Sequence, residues 1–337
     1  MELRECAMES MGVEFWRDRN VFVTGATGLL GSWLVQELIE LGANTVCLVR
    51  DWVPSSRFFQ ESAMQKATIV RGELEDYFVL LRALNEYEID TVFHVAAQAV
   101  VGTSSRSSLS TFEANIRGTY HLLEACKNNS RLVHRVVLAS SDKAYGEQEI
   151  LPYVEDAPLA GKYPYDVSKA CADLLAQSYF HTYQIPIAIT RCGNLFGGGD
   201  LNFNRLIPGT IRSALRNERP VIRSDGKFIR DYFYVRDAVS AYLLLAEKLL
   251  EPGVLGEAFN FGPERPVSVL EMVEMILKRL GKSKLEPVIL NEKLHEIPSQ
   301  YLDCRKARKV LGWENKFMLE EALGETIAWY EKFLSRC

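Results

Sequence analysis

Short apolar runs separated by stretches of helical periodicity fill the chain as far as residue 191. The runs at 20–24, 45–50, 67–71, 91–95, 134–139 and 186–191 predict buried strands. An amphipathic helix is predicted after Gly31 as far as Leu41, and another over 165–178, where Ser168, Lys169, Ala170, Ala172, Leu174, Leu175 and Ala176 occur. Strand and helix in alternation predict an α/β fold built on a doubly wound parallel sheet. Beyond residue 191 the rhythm loosens. Gly197 to Asp200 reads as a loop, Leu201 to Arg219 as a helix, and Asp237 to Leu250 as an alanine- and leucine-rich helix returning to the first domain. From Phe259 to Trp329-Tyr330 the pattern is of short strands and helices. The expected organisation is therefore a domain over 1–191, with 229–257 returning to it, and a smaller, discontinuous α/β lobe from 192–228 and 258–337. No internal repeat or low-complexity segment is present.

The first predicted strand runs into Gly25-Ala26-Thr27-Gly28-Leu29-Leu30-Gly31 and then into a helix. Glycines every third residue permit a tight turn, let the backbone approach a pyrophosphate, and allow the helix to pack on the strand, with its N-terminus facing the phosphates. A glycine-spaced loop alone is a weak signal, but here it sits between strand and helix, as the mechanism needs. Gly25, Thr27, Gly28, Leu29, Leu30 and Gly31 are thus candidate contacts to a dinucleotide, and the domain is expected to be of Rossmann type. The second strand ends at Arg50-Asp51. An acid there accepts from a ribose 2′-hydroxyl and an arginine pairs with a 2′-phosphate. NAD through Asp51 is preferred, with NADP through Arg50 as the alternative, and a plain charged turn as the bland one.

Composition narrows the class. With 337 residues, 47% hydrophobic, the chain can bury one large core and a smaller lobe. Its net charge of −5 is spread along the chain, so no nucleic-acid-binding tail or basic membrane face is evident. The seven cysteines form no CxxC, no signal pattern or long apolar run is seen, and a reducing cytoplasm is the expected location. Cys171 and Cys192 read as small core residues. The five histidines lack ligand spacing, so no metal is expected.

The richest chemistry lies in Ser141-Asp142-Lys143 and Tyr165-Asp166-Val167-Ser168-Lys169. On a helix, Tyr165 and Lys169 share one face. A phenol titrates near 10, too high for a base at neutral pH, but a cation about 4 Å away at an effective dielectric of about 20 is worth roughly 4 kcal/mol, close to three pKa units. Such a pair suits the oxidation of a secondary alcohol by a nicotinamide. An isolated match would more often be a solvated pair on an ordinary helix, and it is the glycine loop that raises its meaning.

Together the glycine loop, His94-Val95-Ala96-Ala97-Gln98, Asn115-Ile116-Arg117-Gly118-Thr119, the tyrosine dyad and Arg230-Asp231-Tyr232 resemble extended short-chain dehydrogenase/reductases acting on nucleotide sugars. Ser141-Asp142-Lys143, Gly193-Asn194, Gly197-Gly198-Gly199-Asp200, Arg205 to Pro208, Phe259 to Pro263, His295-Glu296 and Leu311-Gly312-Trp313 are similar to the CDP-glucose 4,6-dehydratase branch. The resemblance runs from about residue 15 to the last helix. It implies that Tyr165 takes the sugar 4-hydroxyl proton while hydride leaves C4, that water is lost across C5 and C6, and that the hydride returns to C6. In that scheme Ser141 shares the substrate oxygen with Tyr165, Asp142 protonates the departing 6-hydroxyl, and neutral Lys143 removes the C5 proton, its pKa lowered by burial and by Lys169. The bland reading of Asp142-Lys143 is an ion pair at a strand end.

The resemblance further implies that Glu73 and Leu74 contact adenine, that Ala96 and Ala97 line the phosphate path, and that Asn115 is a buried helix-fixing amide. Asn194 and Arg230 would hold the substrate diphosphate, with Gln98, Arg205 and His295 as further substrate contacts. A homodimer is implied too, through two helices including that of the dyad, the apolar face of 112–126 being compatible with this or with core. Two departures concern the substrate base. Gln98-Ala99-Val100-Val101-Gly102 lacks the branch's arginine, so that a sugar or phosphate contact is either lost or supplied by Arg106, and Arg230 to Val235 reads like the broader family. A nucleotide-sugar 4-epimerase would use Ser141, Tyr165 and Lys169 without Asp142 and Lys143. A non-catalytic nicotinamide-binding regulator would tolerate loss of Tyr165, which this chain retains.

Overall fold

A computed structural model describes residues 14–100, 104, 106–292 and 296–336. Six parallel strands are laid down first: β1 (Asn20–Thr24), β2 (Asn44–Val49), β3 (Thr68–Arg71), β4 (Thr91–His94), β5 (Arg135–Ala139) and β6 (Ile187–Cys192). Then come β7 (Asn194–Phe196), β8 (Val221–Ile222), β9 (Ile229–Tyr234) and β10 (Ala258–Phe261), followed by β11 (Pro266–Ser268), β12 (Val288–Ile289) and β13 (Ser299–Gln300). The main sheet has the order β10-β6-β5-β4-β1-β2-β3, parallel throughout. Its order reverses between β1 and β4, where a Rossmann sheet opens its cleft. β1, β4 and β6 are buried along almost their whole length because helices cover both faces.

The helices of ten residues or more are α1 (Leu29–Glu40), α2 (Tyr77–Glu86), α3 (Gly118–Asn128), α4 (Pro164–Tyr183), α5 (Leu206–Leu215), α6 (Val235–Glu247), α7 (Val269–Arg279) and α8 (Leu319–Leu334). α2 starts at Asp76, whose carboxylate accepts from the Phe78 and Val79 N–H groups, and α7 starts in a capping box between Ser268 and Glu271. α6 packs on α1, and α5 packs on α7 and α8.

Two segments lie differently from the sequence expectation. β9, in the stretch expected to return to the first domain, pairs instead with β7, β11 and β13 in the small sheet, and only α6 after it docks on the first domain. Conversely β10, expected in the lobe, is the seventh strand of the main sheet, fully buried beside β6. Both are short, almost wholly buried runs, and burial by itself does not say against which partner. The helix expected over 201–219 spans only Leu206–Leu215. Asp200 and Asn202 accept from the N–H groups two residues on, holding 201–205 in turns.

Candidate active site

Because all seven strands of the main sheet are parallel, the segments that follow them converge on one edge. There stand the glycine loop after β1, Arg50 and Asp51 after β2, Glu73 and Leu74 after β3, Ala96 to Gln98 after β4, Ser141 to Lys143 after β5, and Asn194 after β6.

The glycine loop is a close fit of backbone on backbone. Gly25 has φ +77°, and a Cβ there would stand 2.7 Å from the Ala96 Cα; a Cβ on Gly31 would lie 2.1 Å from the Gly25 carbonyl oxygen. Gly28 is the N-cap of α1 and no side chain caps the helix, so its first-turn N–H groups are open to an anion. Those groups fit a dinucleotide diphosphate. Arg50 and Asp51 are exposed and bonded to each other, Nε to Oδ2 at 2.7 Å. Glu73 is exposed as well, whereas Leu74 is buried against Gly118.

A buried run of hydrogen bonds joins the loop to the dyad helix. Ala96 N–H donates to Thr24 Oγ1, which lies 2.9 Å from His94 Nδ1, and His94 Nε2 lies 2.9 Å from Thr119 Oγ1. Thr119 donates in turn to the Asn115 carbonyl. The Asn115 side chain accepts from Gln98 N–H and donates to Ser168 Oγ, which donates to the Tyr165 carbonyl. His94 is neutral here, its pKa pushed down to about 3 by burial and by Lys169. Asn115 sits in a π-helical turn, Glu113–Arg117, that precedes α3.

At the dyad the charges fall otherwise than the sequence suggests. Lys169 is buried and donates to the Ala139 carbonyl; its pKa is pushed down to about 8 by burial, against the opposing pull of Asp173. Burial pushes the Tyr165 phenol up to about 12, with Asp142 and Asp166 adding to the rise. The groups that lower it are Arg205 and a hydrogen bond with Ser141, not Lys169. Arg205, itself bonded to Asp200, thus stands near the phenol.

Ser141 caps the 3₁₀ turn Asp142–Tyr145: its Oγ accepts from Lys143 N–H and donates to Asp142 Oδ1 at 3.0 Å. Asp142 is 2% exposed and its Oδ2 has no partner. Burial raises its pKa, against Lys143, Ser141 and Arg230, so a proton is retained more readily than on an ordinary aspartate. Lys143 is shifted the other way by burial and by Arg230, against Asp142, Asp166 and Glu296. Here too the neighbouring cation is Arg230 rather than Lys169. Arg230 is buried and bonded to the Ile229 and Pro298 carbonyls, with Glu296 at 3.7 Å. Asn194 leaves Nδ2 buried and unpartnered. His295 and the Val101-Gly102 pair lie outside the described residues, and Arg106 is exposed.

Sequence reasoning missed the buried framework behind the turn. Arg191 pairs with Asp173 through Nε to Oδ2 at 2.8 Å and Nη2 to Oδ1 at 3.0 Å. It also donates to the Tyr145 hydroxyl, which donates to Asn260 Oδ1. The spacing of Asp173 one turn beyond Lys169 was the available signal. Cys192 is buried and Cys171 half-buried. Among the described residues no three His, Cys, Asp or Glu side chains are grouped to hold a metal ion, and no helix is long and apolar enough to cross a membrane.

The chain belongs to the NAD dependent epimerase/dehydratase family, whose model matches residues 21–262. It is 33% identical to the CDP-glucose 4,6-dehydratase of Salmonella typhimurium over 95% of this chain and 92% of that protein. It is 29% identical to the dTDP-glucose 4,6-dehydratase of Haemophilus influenzae over 92% and 97% of the two chains. Among solved structures, DesIV, a dTDP-glucose 4,6-dehydratase from Streptomyces venezuelae with NAD bound, superposes with a TM-score of 0.84 at 26% identity, covering 93% of this chain and 97% of that one. A UDP-glucose 4-epimerase from Thermotoga maritima, with UDP-glucose, gives 0.84 at 28% identity over 94% and 99%.

Proposed function

We propose that this chain is an NAD-dependent nucleotide-sugar 4,6-dehydratase, a hydro-lyase converting an NDP-hexose, CDP-glucose first among candidates, into the NDP-4-keto-6-deoxyhexose. The observation that carries it is the pair of buried Asp142 and half-buried Lys143 beside Tyr165, an acid held towards its protonated form and an amine held towards its neutral form. The 33% identity to a CDP-glucose 4,6-dehydratase supports the nucleotide.

When bound, NAD would supply a hydride acceptor and donor. Gly25, Thr27, Gly28, Leu29, Leu30 and Gly31 would hold its diphosphate, Asp51 its ribose, Glu73 and Leu74 its adenine, and Ala96 and Ala97 the path between. Tyr165 takes the 4-hydroxyl proton, with Ser141 donating to the same oxygen and Lys169 orienting the dyad. As the 4-hydroxyl proton goes to Tyr165 a hydride leaves C4, and the resulting 4-ketone acidifies C5; Lys143 takes the C5 proton, the proton on Asp142 leaves with the 6-hydroxyl as water, and when the hydride is returned to C6 the Lys143 ammonium gives its proton back to C5. Asn194 and Arg230 hold the diphosphate, and Gln98, Arg205 and His295 complete the substrate pocket. Partner chemistry is thus a nucleotide-diphosphate sugar in a reducing cytoplasm. Residues 112–126 are mainly core, but Tyr120, Leu174 and Tyr183 stay exposed on α3 and α4, which pack together, and this supports a homodimer through those helices.

The test is incubation of the purified protein and NAD with CDP-glucose, dTDP-glucose, GDP-mannose and UDP-GlcNAc in separate tubes, read by mass spectrometry. A product lighter by one water supports the dehydratase and names its nucleotide. Unchanged mass with inverted C4 would make the chain an epimerase.

A further inference from the structure

Gln300 is fully buried on β13, and its two amide atoms are treated differently. Oε1 accepts from Lys143 Nζ at 3.4 Å, whereas Nε2 has no partner. A buried amide N–H left unmade costs about 1–3 kcal/mol, and a native fold keeps such a group where something else meets it. Two further buried orphans, Asp142 Oδ2 and Asn194 Nδ2, belong to residues of the same neighbourhood. β9 ties them together: Gln300 pairs in register with its Arg230, and Asn194 with its Tyr232. An open amide donor on Gln300 and an open carboxyl oxygen on Asp142, both beside the Lys143 amine, suit the hydroxyl-bearing part of a ligand, with Asn194 Nδ2 left for the oxygens of its diphosphate.

We propose that Gln300 is a positioning residue for the Lys143 amine and, through its open Nε2–H, a reader of a hexose oxygen beside the carbon that Lys143 deprotonates. The proposal rests on the dehydratase reading. An amide is the apt acceptor because it carries no charge. Asp142, Asp166 and Glu296 already draw Lys143 towards the ammonium form, while burial and Arg230 oppose them. A fourth carboxylate would tip that balance, and an apolar side chain would tip it the other way.

The experiment compares wild type with Gln300→Glu and Gln300→Leu, each checked for folding by melting and for NAD binding. Two readouts are taken against pH: the rate of Lys143 acetylation in the NAD-loaded protein, followed by peptide mass, and the rate of product formation. Both rise as Lys143 loses its proton. In Gln300→Glu the rise moves to higher pH by about one unit or more, since a carboxylate favours the ammonium. In Gln300→Leu it moves to lower pH, since the lost acceptor favoured the ammonium more than the amine. kcat/KM in Gln300→Leu falls by about tenfold or more with the loss of the donor to the hexose. Each variant carries its own sign, so either one that folds decides. Labelling curves that stay in place, or move in the same direction, overturn the proposal. Shifted curves in a protein that dehydrates no sugar would keep the Gln300–Lys143 link, overturn the hexose-reading role and refute the dehydratase reading.

Discussion

Replacing Asp173 by alanine tests the claim that a buried ion pair underlies the dyad. The Asp173 side chain is fully buried and that of Arg191 is 4% exposed, and the carboxylate takes two of the guanidinium's bonds, at 2.8 and 3.0 Å. In Asp173→Ala the guanidinium keeps only the Tyr145 hydroxyl and the Glu155 carbonyl. Leaving one partner of a buried pair uncompensated costs about 3–5 kcal/mol. For 337 residues the unfolding entropy near the melting temperature is roughly 0.7 kcal/mol per degree, so about 4 kcal/mol lowers Tm by about 6 °C. Arg191→Met in the same background removes the stranded charge and should restore at least half of the loss.

The same substitution reaches the chemistry, because Asp173 is the main charge opposing the effect of burial on Lys169. Without it the Lys169 pKa falls below its value of about 8, and the ammonium is depleted at pH 8 while still present at pH 6. The assay is calorimetry of the single and double variants, with turnover measured at both pH values. A single variant within about 1 kcal/mol of wild type, or a double variant less stable than the single one, would refute the reasoning.

Gly31→Ala should abolish NAD binding, measured by fluorescence quenching or calorimetry, because the new methyl would stand 2.1 Å from the Gly25 carbonyl oxygen and force the loop open. Asp231, fully buried and accepting from the Leu302 and Arg265 N–H groups, has its pKa pushed up to about 7, chiefly by burial. A carboxyl raised in this way binds more protons folded than unfolded, so its contribution to stability is greatest at low pH and declines as pH rises from about 4 to 7. Urea unfolding from pH 4 to 8 should show that decline in wild type and a shallower one in Asp231→Asn, where the raised Asp142 and Asp166 carboxyls still contribute; equal slopes in both would count against the assignment.

The sequence made the cofactor end legible because its requirements are local. A strand, three glycines and a helix form one continuous stretch, and the parallel sheet follows from the alternation of elements. The tyrosine dyad was legible for the same reason, being one turn of α4. Pairings between distant segments were not. Nothing local in Arg191, Tyr145 or Asn260 distinguishes them from ordinary strand or turn residues, and they meet only when β5, β6 and β10 lie side by side.

The hidden part also corrected the electrostatics. From spacing alone, Lys169 is the cation that lowers Tyr165 and Lys143, because it is the nearest basic residue in the motif. In the fold it is turned towards the Ala139 carbonyl, and the lowering groups are Arg205 for the phenol and Arg230 for the amine. Both arginines come from beyond β6, as does Gln300, the hydrogen-bond acceptor for Lys143. In the proposed mechanism the first domain therefore carries the reacting groups, and the later segments adjust their protonation. In a family that holds both dehydratases and epimerases, the later segments offer a physical means by which one dyad serves different outcomes.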